Sequence, residues 1–155
     1  MPQSVLFVCL GNICRSPLAE AALRAAAEAA GARLLVDSAG TGDWHLGRAP
    51  DRRAQAVAAR AGIDISNLRA RQVGPDDFHC FDHIVAMDHE NLAALRRLAP
   101  PEGRARLSLL LDHVPGRRGQ AVADPYFGEA AGFDATWRDV TAGAQALLRL
   151  ILGPG

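Results

Sequence analysis

The run Val5-Leu6-Phe7-Val8 constrains this chain more than any other, because it delivers the backbone directly into a cysteine at a turn. Four apolar residues, two of them β-branched, predict a buried strand that ends at Cys9; Gly11 and Asn12 then supply turn residues, and Ser16-Pro17 predicts the start of a helix. A cysteine therefore stands where a strand passes through a tight loop into a helix. Such a junction aims backbone N–H groups and the positive end of a helix dipole at one point, which suits a phosphate-sized anion and favours a thiolate. Arg15, at the far end of the loop, adds a planar guanidinium able to grip two phosphate oxygens at once.

The remaining chain alternates in the same way. A first helix, about Pro17 to Ala30, is stopped by Gly31, and Arg33–Asp37 reads as a second strand. Residues 38–47 read as a loop, followed by a helix from Pro50-Asp51 to Ala61. His83–Met87 reads as a third strand, with Asp88 as N-cap of a helix from Glu90 to Leu98 that Pro100-Pro101 ends. Arg106–Leu111 reads as a fourth strand, and after a Gly- and Pro-bearing connection a last helix runs from Phe133 to Leu152. The expected fold is α/β: a doubly wound, four-stranded parallel sheet with helices on both faces and a phosphate loop after the first strand, one domain over residues 1–155. Ligands of such sheets bind at the carboxyl ends of the strands, where Cys9 lies.

Composition narrows the chemistry. Arg and Lys total 17, all of them Arg, and Asp and Glu total 17, so the formal charge is zero. Neither a nucleic-acid surface nor a polybasic membrane anchor is expected. The lack of Lys excludes a Walker-type loop, which needs that residue on the β- and γ-phosphates. Three cysteines, no signal-peptide pattern and no bilayer-length apolar run point to a reducing cytoplasm, and a monomer is expected. His79-Cys80-Phe81-Asp82-His83 carries metal-ligand residue types but leads into a strand, where neighbours alternate faces, so neither metal nor cofactor is expected.

Read as CLGNICRS, Cys9–Ser16 resembles the signature of the low-molecular-weight protein tyrosine phosphatases. Further landmarks appear in that family's order: Asp37-Ser38-Ala39-Gly40-Thr41, Trp44 with Gly47 and Pro50-Asp51, Ala70-Arg71-Gln72, Met87-Asp88 and Asp124-Pro125-Tyr126. The resemblance covers nearly the whole chain. It implies hydrolysis of phosphotyrosine in a protein or peptide through a phosphocysteine, with Cys9 as nucleophile, Arg15 as phosphate clamp and Asp124 as general acid. It implies a phosphate cradle of Leu10, Gly11, Asn12, Ile13, Cys14 and Arg15, loop support from Asn12, Ser16 and Ser38, and a cleft walled by Leu10, Trp44, Tyr126 and Phe127. Cys14 lies close enough in sequence to act as a redox partner of Cys9.

Two departures stand out. Many members carry a His just before the Ala-Arg-Gln triplet to complete the loop-supporting network, whereas this chain has Asn67-Leu68-Arg69. Phe127 stands where many members have a second Tyr. Three rival readings are separable. A thiol-relay arsenate reductase would need two further cysteines near the third strand, where only Cys80 lies. A protein-arginine phosphatase would resemble loops with Thr at the place of Ile13. A non-catalytic phosphate-binding module would have lost the nucleophile, the arginine or the acid.

Overall fold

The computed structural model describes residues 2–153. Four strands, β1 (Gln3–Cys9), β2 (Leu34–Gly40), β3 (His83–Ala86) and β4 (Arg106–Leu109), form an all-parallel sheet in the order β2-β1-β3-β4. The expected fold class is what the chain adopts. Helices α1 (Arg15–Ala29), α2 (Arg52–Arg60), α3 (Asp77–Cys80), α4 (His89–Leu98) and α5 (Ala130–Leu152) connect and cover the strands.

The period of two along β1 divides the core. Val5, Phe7 and Cys9 face α1, α2 and α5 in one cluster with Leu18, Leu23, Val57, Val140 and Leu147. Leu6 and Val8 face the opposite way, into a cluster with Phe78, Leu92 and Leu95. Both faces of β1 are thus buried, which is why its sequence is a continuous apolar run rather than an alternating one. Truncating the fully buried Phe7 to Ala would cost about 3–5 kcal/mol.

Sequence reading and structure differ at several ends. Helix α1 begins at Arg15, before the Ser16-Pro17 pair. Strand β2 runs on to Gly40, so Ser38, Ala39 and Gly40 are strand rather than loop: β1 supplies ladder partners up to Cys9↔Gly40, and Gly40 bridges Gln72 on its other side. Strand β4 stops at Leu109 and Leu110–His113 form a 3₁₀ turn. Its partner β3 ends at Ala86, after which Met87 bonds to Val8 and Val122 instead, leaving Leu110 nothing to pair with. The short α3 has no counterpart among the expected elements, and α5 starts three residues earlier than Phe133.

Chain order sends the connections after β1 and β3 to opposite sides of the sheet. A crevice results at the carboxyl ends of these neighbouring strands. Cys9 ends one of them and Asp88 comes just after the other.

Candidate active site

Between β1 and α1, residues 10–14 form a loop whose carbonyls are tied to the surrounding chain. Cys9 O accepts from the Thr41 amide (2.9 Å), Leu10 O from Gly42 (2.9 Å), Ile13 O from Asp51 (2.9 Å) and Cys14 O from Leu18 (3.3 Å). No side chain caps α1, whose first turn opens onto Cys9. Gly40 permits this close passage, since a Cβ there would lie 2.8 Å from the Leu10 carbonyl oxygen.

Asn12 is the one non-glycine residue with positive φ (58°) among the described residues, and its side chain fixes that shape from three directions. Its Nδ2 donates to Ser16 Oγ (2.8 Å) and to Ser38 Oγ (3.0 Å), while its Oδ1 accepts the Arg71 amide (3.0 Å). Ser38 in turn donates to Glu20 Oε1 (2.8 Å), and Arg24 reaches the other carboxylate oxygen of Glu20 from one helical turn on. Leu68, just before Ala70-Arg71-Gln72, packs as a partly buried apolar residue. The network is closed by Glu20, Arg24 and a backbone amide. Burial raises the Glu20 carboxyl above its ordinary range, with Ser38 and Arg24 opposing that shift.

Cys9 and Ser16 place Sγ and Oγ 3.0 Å apart in the buried interior of the loop. Arg15 is almost wholly enclosed. Its Nη1 donates to Asp88 Oδ2 (2.7 Å) and to the Val122 carbonyl (3.0 Å), and its Nη2 lies 3.5 Å from Asp124 Oδ2. Burial works against the guanidinium charge, but Cys9, Asp88 and Asp124 outweigh it and raise the Arg15 pKa, so the clamp stays cationic. Burial, together with the charges of Asp51, Cys9 and Asp124, pushes the Cys14 thiol far up.

These groups line a cleft of about 330 Å³ bounded by Cys9, Leu10, Gly11, Ile13, Cys14, Arg15, Trp44, His45, Asp124, Tyr126 and Phe127. Among the residues singled out from the sequence, Cys9, Arg15, Asp124, Leu10, Gly11, Ile13, Cys14, Trp44, Tyr126 and Phe127 converge here, while Asn12, Ser16 and Ser38 stand behind the loop. Trp44 is 67% exposed and folds over Gly42, whose missing side chain makes room for the indole. Phe127 is 95% exposed and meets Tyr126 edge to face, 4.9 Å between centroids. It stands at the lip of the cleft rather than in its wall.

Four participants lie outside the expectations drawn from the sequence. Asp88 fills the expected role of N-cap (Oδ1 accepts from Asn91 N, 2.8 Å), yet its second oxygen holds Arg15. Its position just after β3, beside β1, and its place in the Met87-Asp88 landmark are the signals of that second role. His45, Glu20 and Arg53 carry no signal that separates them from ordinary surface or helix residues.

The low molecular weight phosphotyrosine protein phosphatase family model matches residues 4–152. The chain is 41% identical over 150 residues to the low molecular weight protein-tyrosine-phosphatase YfkJ of Bacillus subtilis, covering 96% of this chain and 95% of that one. The chain belongs to the low molecular weight phosphotyrosine protein phosphatase family. Among solved structures of similar fold, Primo-1 superposes with a TM-score of 0.93 at 36% identity, covering 97% of this chain and 99% of Primo-1. A drosophila arginine phosphatase, DARP, superposes with a TM-score of 0.91 at 32% identity, over 97% and 99% of the two chains.

Proposed function

We propose that this protein is a cysteine-dependent protein tyrosine phosphatase. The observation that carries the reading is the convergence of Cys9, Arg15 and Asp124 on one cleft. Cys9 Sγ attacks phosphorus as the aryl oxygen departs, forming phosphocysteine; Asp124 gives its proton to that oxygen. The Asp124 carboxylate then takes a proton from water as the water oxygen attacks phosphorus. The S–P bond breaks, returning the sulfur electron pair to Cys9 and releasing phosphate. Ser16 stabilises the sulfur anion, and Arg15 with the loop amides balances charge on the equatorial oxygens.

Geometry supports a division of labour at Arg15. Nη1 is committed to Asp88 and Val122, whereas the 3.5 Å approach of Nη2 to the partly exposed Asp124 is loose. An incoming phosphate takes over Nη2 and frees Asp124 for the leaving oxygen.

Selectivity comes from depth and walls. An aryl ring between Trp44 and Tyr126 spans the distance from the cleft mouth to Cys9, which the shorter phosphoserine does not. Ile13, a branched apolar residue in the cleft, favours the flat ring over a phosphoguanidinium. The substrate is a tyrosine-phosphorylated protein or peptide. The three free thiols fit a reducing, cytoplasmic compartment.

Rapid acid quench of the Cys9→Ser variant and wild type with a radiolabelled phosphotyrosine peptide tests the reading. Wild type should carry label on Cys9, and the variant should bind phosphate without turnover. Substantial hydrolysis by Cys9→Ser would refute it.

A further inference from the structure

Asp124 lies in a loop, and something must hold that loop over Cys9. Its near end is tied down at Val122, whose amide donates to Met87 O (2.8 Å) and whose carbonyl accepts from Arg15. The far end is gripped by Arg53, at the start of α2. Arg53 Nη2 donates to the Tyr126 carbonyl (2.9 Å) and Nη1 to the Gly128 carbonyl (3.0 Å). Its guanidinium lies over the Phe133 ring, 4.5 Å from the centroid.

Arg53 is itself immobilised. The N-cap Asp51 accepts from Arg53 Nε with Oδ1 and from Nη2 with Oδ2, both at 3.0 Å, and Oδ1 also accepts the Arg53 amide at 2.8 Å. The Asp51 amide donates to Ile13 O in the phosphate loop. A continuous path thus runs from the nucleophile's loop through the α2 cap to two carbonyls just beyond the acid.

We infer that Arg53 is a positioning residue for general acid catalysis: its fork, locked by Asp51, clasps Tyr126 and Gly128 and so holds Asp124 at the height of the leaving oxygen over the phosphate loop. This rests on Asp124 being the acid. The planar fork is needed because two carbonyls two residues apart must be held while a carboxylate is held as well; an ammonium has no such fixed directions. The hydrogen bonds of the Arg53 guanidinium go to Asp51 and to backbone of the acid loop, and none goes to the phosphate cradle itself.

The test is the dependence of kcat/KM on leaving-group pKa across a series of aryl phosphates, for wild type, Asp124→Asn, Arg53→Lys and Arg53→Ala. Inorganic phosphate inhibition and thermal melting are measured alongside. An acid-dependent reaction loses little with good leaving groups and much with poor ones. Arg53→Ala should lose about tenfold or more on the poorest leaving group, within the roughly 10²–10⁴-fold a positioned acid supplies, and under about threefold on the best. Arg53→Lys should fall between Arg53→Ala and wild type, and both should keep wild-type phosphate inhibition. A leaving-group line parallel to wild type in Arg53→Lys overturns the inference, whatever the change in melting temperature; if Arg53→Ala does not fold, Arg53→Lys alone decides. If Asp124→Asn is itself parallel to wild type, it is the acid assignment that fails.

Discussion

Asp88 holds Arg15 with one carboxylate oxygen and caps α4 with the other: Oδ2 accepts from Arg15 Nη1 at 2.7 Å, and Oδ1 from the Asn91 amide at 2.8 Å. The two roles can be separated by substitution. Asp88→Asn keeps an oxygen for the cap but deprives the buried Arg15 cation of the half-buried carboxylate that it donates to at 2.7 Å. A charge-assisted hydrogen bond of about 1.5–3 kcal/mol is weakened, so phosphate affinity and kcat/KM should fall by at least about tenfold with a small change in melting temperature. Asp88→Ala should add roughly 1 kcal/mol of lost capping. Wild-type kinetics in Asp88→Asn, with losses confined to Asp88→Ala, would mean that only the cap matters.

Ile13 is 9% exposed and borders the cleft beside Cys14 and Arg15. Ile13→Thr removes a methyl-sized volume and adds a hydroxyl. Such a change moves discrimination by about 1–3 kcal/mol, so the ratio of phosphoarginine to phosphotyrosine hydrolysis should rise about tenfold or somewhat more. Competition assays on matched peptides read that ratio. A wild-type enzyme that already prefers phosphoarginine would reassign the substrate without touching Cys9, Arg15 or Asp124.

Cys14 is buried in the same loop as Cys9, and its raised pKa keeps it a neutral thiol at physiological pH. It should not compete as nucleophile with substrate; we propose that it captures a sulfenic acid formed on Cys9, giving a disulfide with loss of water. Peroxide-inactivated wild type should recover with dithiothreitol, whereas Cys14→Ala should progress to sulfinic acid and recover poorly. Equal recovery would leave Cys14 a packing residue only.

Glu20 provides the pH test. Its folded-state pKa is raised by burial, so the folded state holds its proton more tightly than the unfolded chain. Between the unfolded value, about 4.3, and the higher folded value, stability should therefore fall as pH rises. Glu20→Gln removes this titration while keeping an oxygen to accept from Ser38. The difference in melting temperature between wild type and variant, measured from about pH 4 upward, should move against wild type as pH rises. Parallel curves would show that Ser38 and Arg24 fully offset the burial.

The strand–loop–helix junction is legible in the sequence because it is local. Apolar residues over Val5–Val8 had to be buried, Asn12 tolerates the positive φ that the turn demands, and Cys9 and Arg15 are placed by the few bonds between them. Alternating strands and helices determined a parallel sheet for the same reason: short segments with strong periods leave few other ways to hide their apolar faces. Tertiary structure decided what depends on partners far along the chain. Ser38 became strand because Phe7 lies opposite it, and Leu110 left the sheet because β3 had ended. Asp88 met Arg15 across 73 positions, and Arg53 met Tyr126 across the same span, because the sheet order and the docking of α2 brought them together. Glu20 accepts from Ser38 because a buried hydroxyl must find an acceptor, and which carboxylate is within reach is set by how α1 lies on β2, which no spacing in the sequence records.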